Sequence, residues 1–136
     1  MIKNLNHANI IKIYYSNAYD NFSAFELELL DITLDGVIQD NKEANVAMSS
    51  DKVRVIVRQL LEALRYLHSQ NVVHRDLKPQ NIGFRERDNM QSLKIFDFGL
   101  SAKTVKENSN LLASKVGTIL YMAPEIFSKK EYSSVS

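Results

Sequence analysis

The sequence contains no cysteine, which excludes a disulfide framework and any thiolate-held metal. Its three histidines, His7, His68 and His74, lie far apart without an H-x-x-x-H spacing, so a zinc site is not expected. Only two prolines and four glycines punctuate 136 residues, and neither a repeat nor a low-complexity tract is visible. No run approaches the roughly 18–20 consecutive apolar residues that cross a bilayer. The first residues do not read as a secretory leader, because Lys3 and Lys12 bracket a polar stretch whose apolar core is only Ile10-Ile11. The expectation is a soluble, intracellular, cytoplasmic protein with no membrane partner. An excess of one charge is also lacking. Seventeen basic residues face sixteen acidic ones, for a formal charge of +1, which leaves no electrostatic footprint for nucleic acid. What is present suits an ordinary globular domain: 45% hydrophobic and 24% charged residues, with no domain boundary inside the chain.

Local patterning predicts a mixed α+β chain. Residues 10–15, Ile-Ile-Lys-Ile-Tyr-Tyr, read as a strand rich in β-branched and aromatic side chains. A turn follows at Asp20-Asn21. Phe25, Leu27 and Leu29 then alternate with Glu26 and Glu28, the pattern of a half-buried strand, and the two segments together suggest an antiparallel hairpin. A short helix fits Leu34 to Gln39. The clearest helix follows a Ser49-Ser50-Asp51 cap, where a short side chain accepts from a first-turn amide. Val53, Ile56, Val57, Leu60, Leu61, Leu64 and Leu67 recur there at helical spacing, and the helix is expected to stop near Ser69 to Asn71. Val72-Val73 is a strand fragment. Ile82–Phe84 and Leu93–Phe96 flank a charged tip and read as a second hairpin. Residues 101–118 lack periodicity and read as a surface loop.

Three motifs follow in order: His74-Arg75-Asp76-Leu77-Lys78-Pro79-Gln80-Asn81, Asp97-Phe98-Gly99, and Ala123-Pro124-Glu125 preceded by Gly117-Thr118. Any one of them is weak alone. Together, after a strong amphipathic helix, they closely resemble the catalytic loop, metal-binding loop and end of the activation segment of eukaryotic-type protein kinases. Lys78 resembles the serine/threonine type. The resemblance implies an α+β, bilobal kinase-like fold, present in part. Residues 1–30 would be a remnant of the N-lobe and the hinge, and residues 31–136 part of the C-lobe.

The resemblance also implies roles. Phosphoryl transfer needs a positioned hydroxyl and a neutralised triphosphate. Asp76 would orient the substrate hydroxyl and accept its proton, and Lys78 would steady the transferring group. Thr118 would bond both. Asn81 and Asp97 supply hard oxygen ligands that suit Mg²⁺ on ATP. His74 and Phe98 would be structural, and Gly99 would let the loop turn. Arg75 would pair with a phosphate on the activation segment, for which Ser114 is the first candidate and Ser101, Thr104 and Ser109 weaker ones; an upstream kinase would be the partner that adds it. An unmodified loop serine is the plain alternative.

Upstream, Leu5-x-His7-x-Asn9-Ile10 resembles the turn before the fourth kinase strand. Leu27 would then sit behind the adenine of ATP, with the backbone of Glu28 to Leu30 bonding its edge; a plain core strand would read the same. The sequence departs from the family in several places. A Gly-rich loop and its partner Lys are not found, and neither Lys3 nor Lys12 is placed to replace that Lys. Gln80 stands where Glu is usual. Gly83 stands where an apolar side chain packs beneath the adenine, a loss for which Ile82 or Phe84 would compensate, or ATP affinity would fall. The resulting expectation is a serine/threonine kinase fragment that acts on protein Ser or Thr hydroxyls with ATP and Mg²⁺. The chain alone would be inactive and poorly folded, self-associating or dependent on the missing lobes or another partner. The alternatives are an inactive kinase-derived interaction protein or an incomplete gene product.

Overall fold

The structure is a computed structural model and describes residues 4–103 and 117–122. Ser114, Thr104, Ser109 and the Ala123-Pro124-Glu125 motif lie outside the described residues. In chain order the elements are strands β1 (Ile13–Ala18), β2 (Ser23–Leu27) and β3 (Ile32–Thr33), helices α1 (Leu34–Glu43) and α2 (Ser50–Ser69), and strands β4 (Val72–Val73), β5 (Ile82–Phe84), β6 (Leu93–Ile95) and β7 (Ala102–Lys103). Short 3₁₀ turns occupy Pro79–Asn81, Met90–Ser92 and Ile119–Tyr121. This is the expected α+β content with small sheets.

Each helix begins where its sequence offers a cap. The Thr33 hydroxyl accepts from Gly36 N at 3.0 Å, with Asp35 in the first turn of α1 and Lys42 in its last. Both charges oppose the helix dipole favourably. At α2 the Ser49 hydroxyl accepts from Lys52 N at 3.4 Å. The apolar stripe of α2 only half matches the expected one. Ile56 and Leu67 are buried, yet so are Gln59 and Ala63, while Val53, Val57 and Leu61 face outward. The stripe is wider than the surface that α2 meets among the described residues.

The core forms where α2 lies against the β5–β6 hairpin. Antiparallel pairing sets Ile82 opposite Ile95 and Phe84 opposite Leu93. Those four side chains and Leu67 are buried, and each contributes about 1.5–3 kcal/mol relative to exposure. β3 adds to the other side of β5, giving the order β3-β5-β6. β4 pairs with β7.

The first hairpin corrects two expectations. β1 and β2 do pair antiparallel, but Ile10 and Ile11 do not belong to them. Ile10 makes a parallel bridge to Ile95, and Ile11 N donates to Ile95 O at 2.9 Å. Both isoleucines are buried against β6 because that edge offers unpaired backbone and an apolar face. Second, the alternating segment is not half-buried on its apolar side. Phe25, Leu27 and Leu29 are exposed, Leu29 at 88%. The buried side chain of this segment is a carboxylate: that of Glu28, only 8% exposed, pairs with Lys94 at 3.1 Å and Arg85 at 3.2 Å and accepts from Lys12 N at 3.2 Å. Three donors repay the desolvation of the charge. Among the described residues, no helix is long and apolar enough to cross a membrane.

Candidate active site

The polypeptide between β4 and β5 is held open by backbone conformations that side chains resist. Arg75 sits at φ 68°, a left-handed conformation that costs a non-glycine residue of order 1–3 kcal/mol. The turn after it is closed by the Pro79–Asn81 3₁₀ segment, where Asn81 N donates to Lys78 O at 2.9 Å. This places Asp76, Lys78 and Asn81 around one point. Lys78 Nζ lies 2.8 Å from Asp76 Oδ2. Asn81 Nδ2 donates to the same oxygen at 3.0 Å and to Asp76 O at 2.8 Å.

Thr118 reaches this point from 42 residues away. Its backbone N and its hydroxyl both donate to Asp76 Oδ1 at 2.7 Å, and the same hydroxyl oxygen accepts from Lys78 Nζ at 2.7 Å. Gly117 makes the approach possible. Its φ is 121°, and a Cβ there would fall 2.4 Å from the Arg75 carbonyl oxygen, so only glycine fits. Burial raises the Asp76 pKa, but the bonds from Lys78 and Thr118 together outweigh it and leave the pKa near 2, below the usual 3.8. Asp76 is therefore an anion with its acceptor capacity of about four sites already filled.

His74 is a structural member of the group. Its Nδ1 accepts from Asp76 N at 3.3 Å, so Nε2 carries the proton and donates to Phe96 O at 3.0 Å. Burial lowers its pKa, in keeping with this neutral tautomer. Its ring meets that of Phe98 edge-on at 4.9 Å. Phe98 is buried, which fixes the adjoining turn. Asp97, just before it, is exposed and left-handed at φ 57°. Its Oδ1 accepts from Gly99 N at 3.3 Å.

The oxygen chemistry of Asn81 and Asp97 fits a hard cation. Asn81 uses its Nδ2 to bond Asp76, and among the described residues its Oδ1 accepts no hydrogen bond. Asp97 presents an exposed carboxylate. Among the described residues no cluster of three or more His, Cys, Asp or Glu side chains could hold a metal. A two-oxygen protein site suits Mg²⁺, which takes its remaining ligands from phosphate and water.

The remaining expected residues lie elsewhere. Arg75 Nε donates to Leu100 O, and its proposed partner Ser114 lies outside the described residues. Ser101 Oγ donates to His74 O at 3.4 Å. The Lys12 ammonium lies 5.4 Å from the centre of the Tyr14 ring, away from the site. Gln80 donates to Asp35 at 2.7 Å, a pairing that a Glu at position 80 would turn into repulsion. Gly83 is buried on the face of β5 opposite Ile82 and Phe84. Those two side chains are committed to the core and do not compensate for it, contrary to expectation; Leu30 and Phe96 cover it. Sequence reasoning also missed Gln59, whose Oε1 accepts from Asn9 Nδ2 at 2.9 Å. Its one available signal was a polar residue among the apolar positions of α2.

The chain is similar to known proteins over nearly all of its length. The family model described as "Protein kinase domain" matches residues 1–136. The chain is 36% identical over 126 residues to calcium-dependent protein kinase 6 of Plasmodium berghei, covering 93% of this chain and 8% of that protein. It is 34% identical over 132 residues to calcium/calmodulin-dependent protein kinase type 1 of Caenorhabditis elegans, covering 97% and 36%. It is also 34% identical over 133 residues to serine/threonine-protein kinase RAD53 of Saccharomyces cerevisiae, covering 98% and 16%. The chain thus spans little more than a third, or less, of these relatives. A solved structure of the yeast RNA Pol II CTD kinase CTDK-1 complex superposes with a TM-score of 0.79 at 29% identity, over 98% of this chain and 42% of that one.

Proposed function

This chain belongs to the protein kinase domain family, and we propose that it carries the catalytic loop of a serine/threonine kinase, moving the γ-phosphoryl group of ATP to Ser or Thr hydroxyls of a protein. The observation that carries the reading is the Asp76 carboxylate held at once by Thr118, Lys78 and Asn81. Residues 1–30 supply the N-lobe and hinge portion, and residues 31–136 the C-lobe portion.

In this reading Asp76 orients the attacking hydroxyl. A carboxylate with a pKa near 2 is a weak base at neutral pH, so it takes the proton only as the attack proceeds. Its acceptor sites are full before ligand arrives. The incoming phosphoryl oxygens attract Lys78, which vacates Asp76 Oδ2 for the substrate hydroxyl. Thr118 keeps Oδ1 fixed throughout, so the carboxylate does not rotate when Lys78 leaves. Asn81 and Asp97 would hold Mg²⁺, which neutralises phosphate charge when bound. The backbone of Glu28 to Leu30, beyond Leu27, would bond the adenine edge, with Gly83 beneath it. Arg75 would bind a phosphate on Ser114, added by an upstream kinase.

The test measures Mg²⁺-dependent ATP binding and phosphotransfer to Ser or Thr of a protein substrate. Asp97→Asn is expected to abolish the Mg²⁺ dependence of binding. Asp76→Asn is expected to abolish transfer while ATP still binds. Transfer that persists in Asp76→Asn at the starting rate would refute the assignment.

A further inference from the structure

Along the C-terminal half of α2, positions 58, 61, 62, 65, 66 and 69 fall on one stripe at helical spacing. The loop at residues 6–7 forms the facing wall. There the His7 ring stacks on Tyr66 with centroids 5.1 Å apart, and Asn6 N donates to the Tyr66 hydroxyl at 2.8 Å. Asn9, buried and bonded to Gln59 and to Leu93 O, anchors that loop. An open groove of about 670 Å³ lies between stripe and loop. None of its lining residues belongs to the site around Asp76.

The groove has donors to spare. Arg65 pairs with no carboxylate among the described residues. His7 Nδ1 accepts from Asn9 N at 3.1 Å, which leaves the ring proton on Nε2, and that nitrogen meets no acceptor among the described residues. The Tyr66 oxygen accepts from Asn6, so its own O–H remains to be given. Acceptors are already used. Glu62, the one carboxylate in the lining, is held by Arg58 at 3.4 Å, and Ser69 gives its hydroxyl proton to Tyr66 O at 2.7 Å. Leu61 stands among these polar groups 61% exposed. The complement of such a surface brings negatively charged acceptors and an apolar side chain.

We propose that this groove binds an acidic peptide segment of a protein partner, with its carboxylates on Arg65 and Arg58 and an apolar side chain over Leu61. Seven helical positions separate the two arginines, roughly 10 Å along the axis. That spacing suits single carboxylates a few residues apart on an extended chain, which rises about 3.3 Å per residue. It does not suit one phosphate, whose oxygens need donors that converge. The Arg58–Glu62 pair is open to water, at 80% and 51% exposure, and so contributes little. A ligand carboxylate can therefore compete for Arg58.

The experiment follows the fluorescence anisotropy of a short labelled peptide, with glutamates on both sides of a leucine, titrated with the protein. Saturable binding that weakens as salt rises is expected. Arg65→Ala weakens it about tenfold, while Lys52→Ala, which removes the same charge from α2 outside the groove, leaves it within about twofold. Glu62→Gln frees Arg58 and removes a like charge, so it strengthens binding about threefold, a gain that a merely structural role would not give. All three side chains are exposed, and melting curves confirm that each variant is folded. Absence of binding, equal losses for Arg65→Ala and Lys52→Ala, or weaker binding by Glu62→Gln would overturn the proposal. So would a preference of more than about tenfold for a phosphoserine form of the peptide, which assigns the groove to phosphate, or displacement by the peptide of a self-associated form, which assigns it to a second copy. No lining residue is shared with the nucleotide site, so failure here leaves the reading of that site standing.

Discussion

Replacing Thr118 by valine removes one oxygen from the site and keeps the side-chain shape. That oxygen makes two short bonds, donating to the Asp76 carboxylate and accepting from the Lys78 ammonium, both at 2.7 Å. A hydrogen bond to a charged group contributes about 1.5–3 kcal/mol net. Asp76 is only 8% exposed, so water replaces the lost bond poorly. The backbone amide of Thr118 and the Lys78 pair remain. The expected cost at neutral pH is therefore about 2 kcal/mol. The effect should depend on pH with a definite sign. Asp76 titrates near 2 when folded, against an ordinary 3.8, so its ionised form adds stability that is fully present above 3.8 and is lost as pH falls towards 2. The whole contribution is roughly 2 kcal/mol. Without the hydroxyl the folded pKa rises, and the variant has less to lose on acidification. Urea unfolding of both proteins across that range should show a gap of about 2 kcal/mol near neutrality that narrows to about 1 kcal/mol near pH 2. A gap that is absent, or that stays constant with pH, would refute the assignment of this hydroxyl to the Asp76 anion.

Two further substitutions test the supports of the site. Gly117→Ala forces a Cβ to 2.4 Å from the Arg75 carbonyl oxygen at a φ of 121°, and should cost about 1–3 kcal/mol and displace Thr118; a melting temperature and an Asp76 titration equal to those of the native chain would contradict it. Glu28→Gln leaves Lys94, whose side chain is 13% exposed, without its anion. The expected loss is about 2–3 kcal/mol, weakened little by salt because the Lys94 pair is buried, whereas the outer contact to Arg85, which is 59% exposed, contributes little. Urea unfolding at low and high salt checks both statements.

The parts that the sequence revealed are those in which neighbours along the chain decide the outcome. α2 after its Ser49-Ser50-Asp51 stretch, the start of α1 at Leu34 and the β5–β6 hairpin follow from local patterning and capping chemistry, whereas the Thr33 cap and the extension of α1 to Glu43 were not read. The motif residues were likewise legible as a set, and Asp76, Lys78 and Asn81 lie close enough in sequence for one loop to assemble them. What escaped depends on distant partners. Glu28 reads as the solvent face of an alternating strand until Lys94 and Arg85 arrive from β6 and the β5–β6 connection to cover it. Phe25, Leu27 and Leu29 read as core, yet all three are exposed among the described residues. Gly83 reads as a lost floor until Leu30 and Phe96 are seen in its place. In each case alternation states which side chains share a face, but not which face meets a partner.

The docking of Asn9, Ile10 and Ile11 on β6 also has a consequence in time. Asn9 Nδ2 donates to Leu93 O across 84 positions of chain, and Ile11 pairs with Ile95 over a like distance. At synthesis rates of about 5–20 residues per second, the segment emerges roughly 4–17 seconds before its strand partner exists. During that interval two isoleucines and an aromatic-rich hairpin are bare, while α2 forms behind them. β6 thus covers an apolar segment made some 84 positions earlier, and until then Ile10 and Ile11 stand open to a ribosome-bound chaperone.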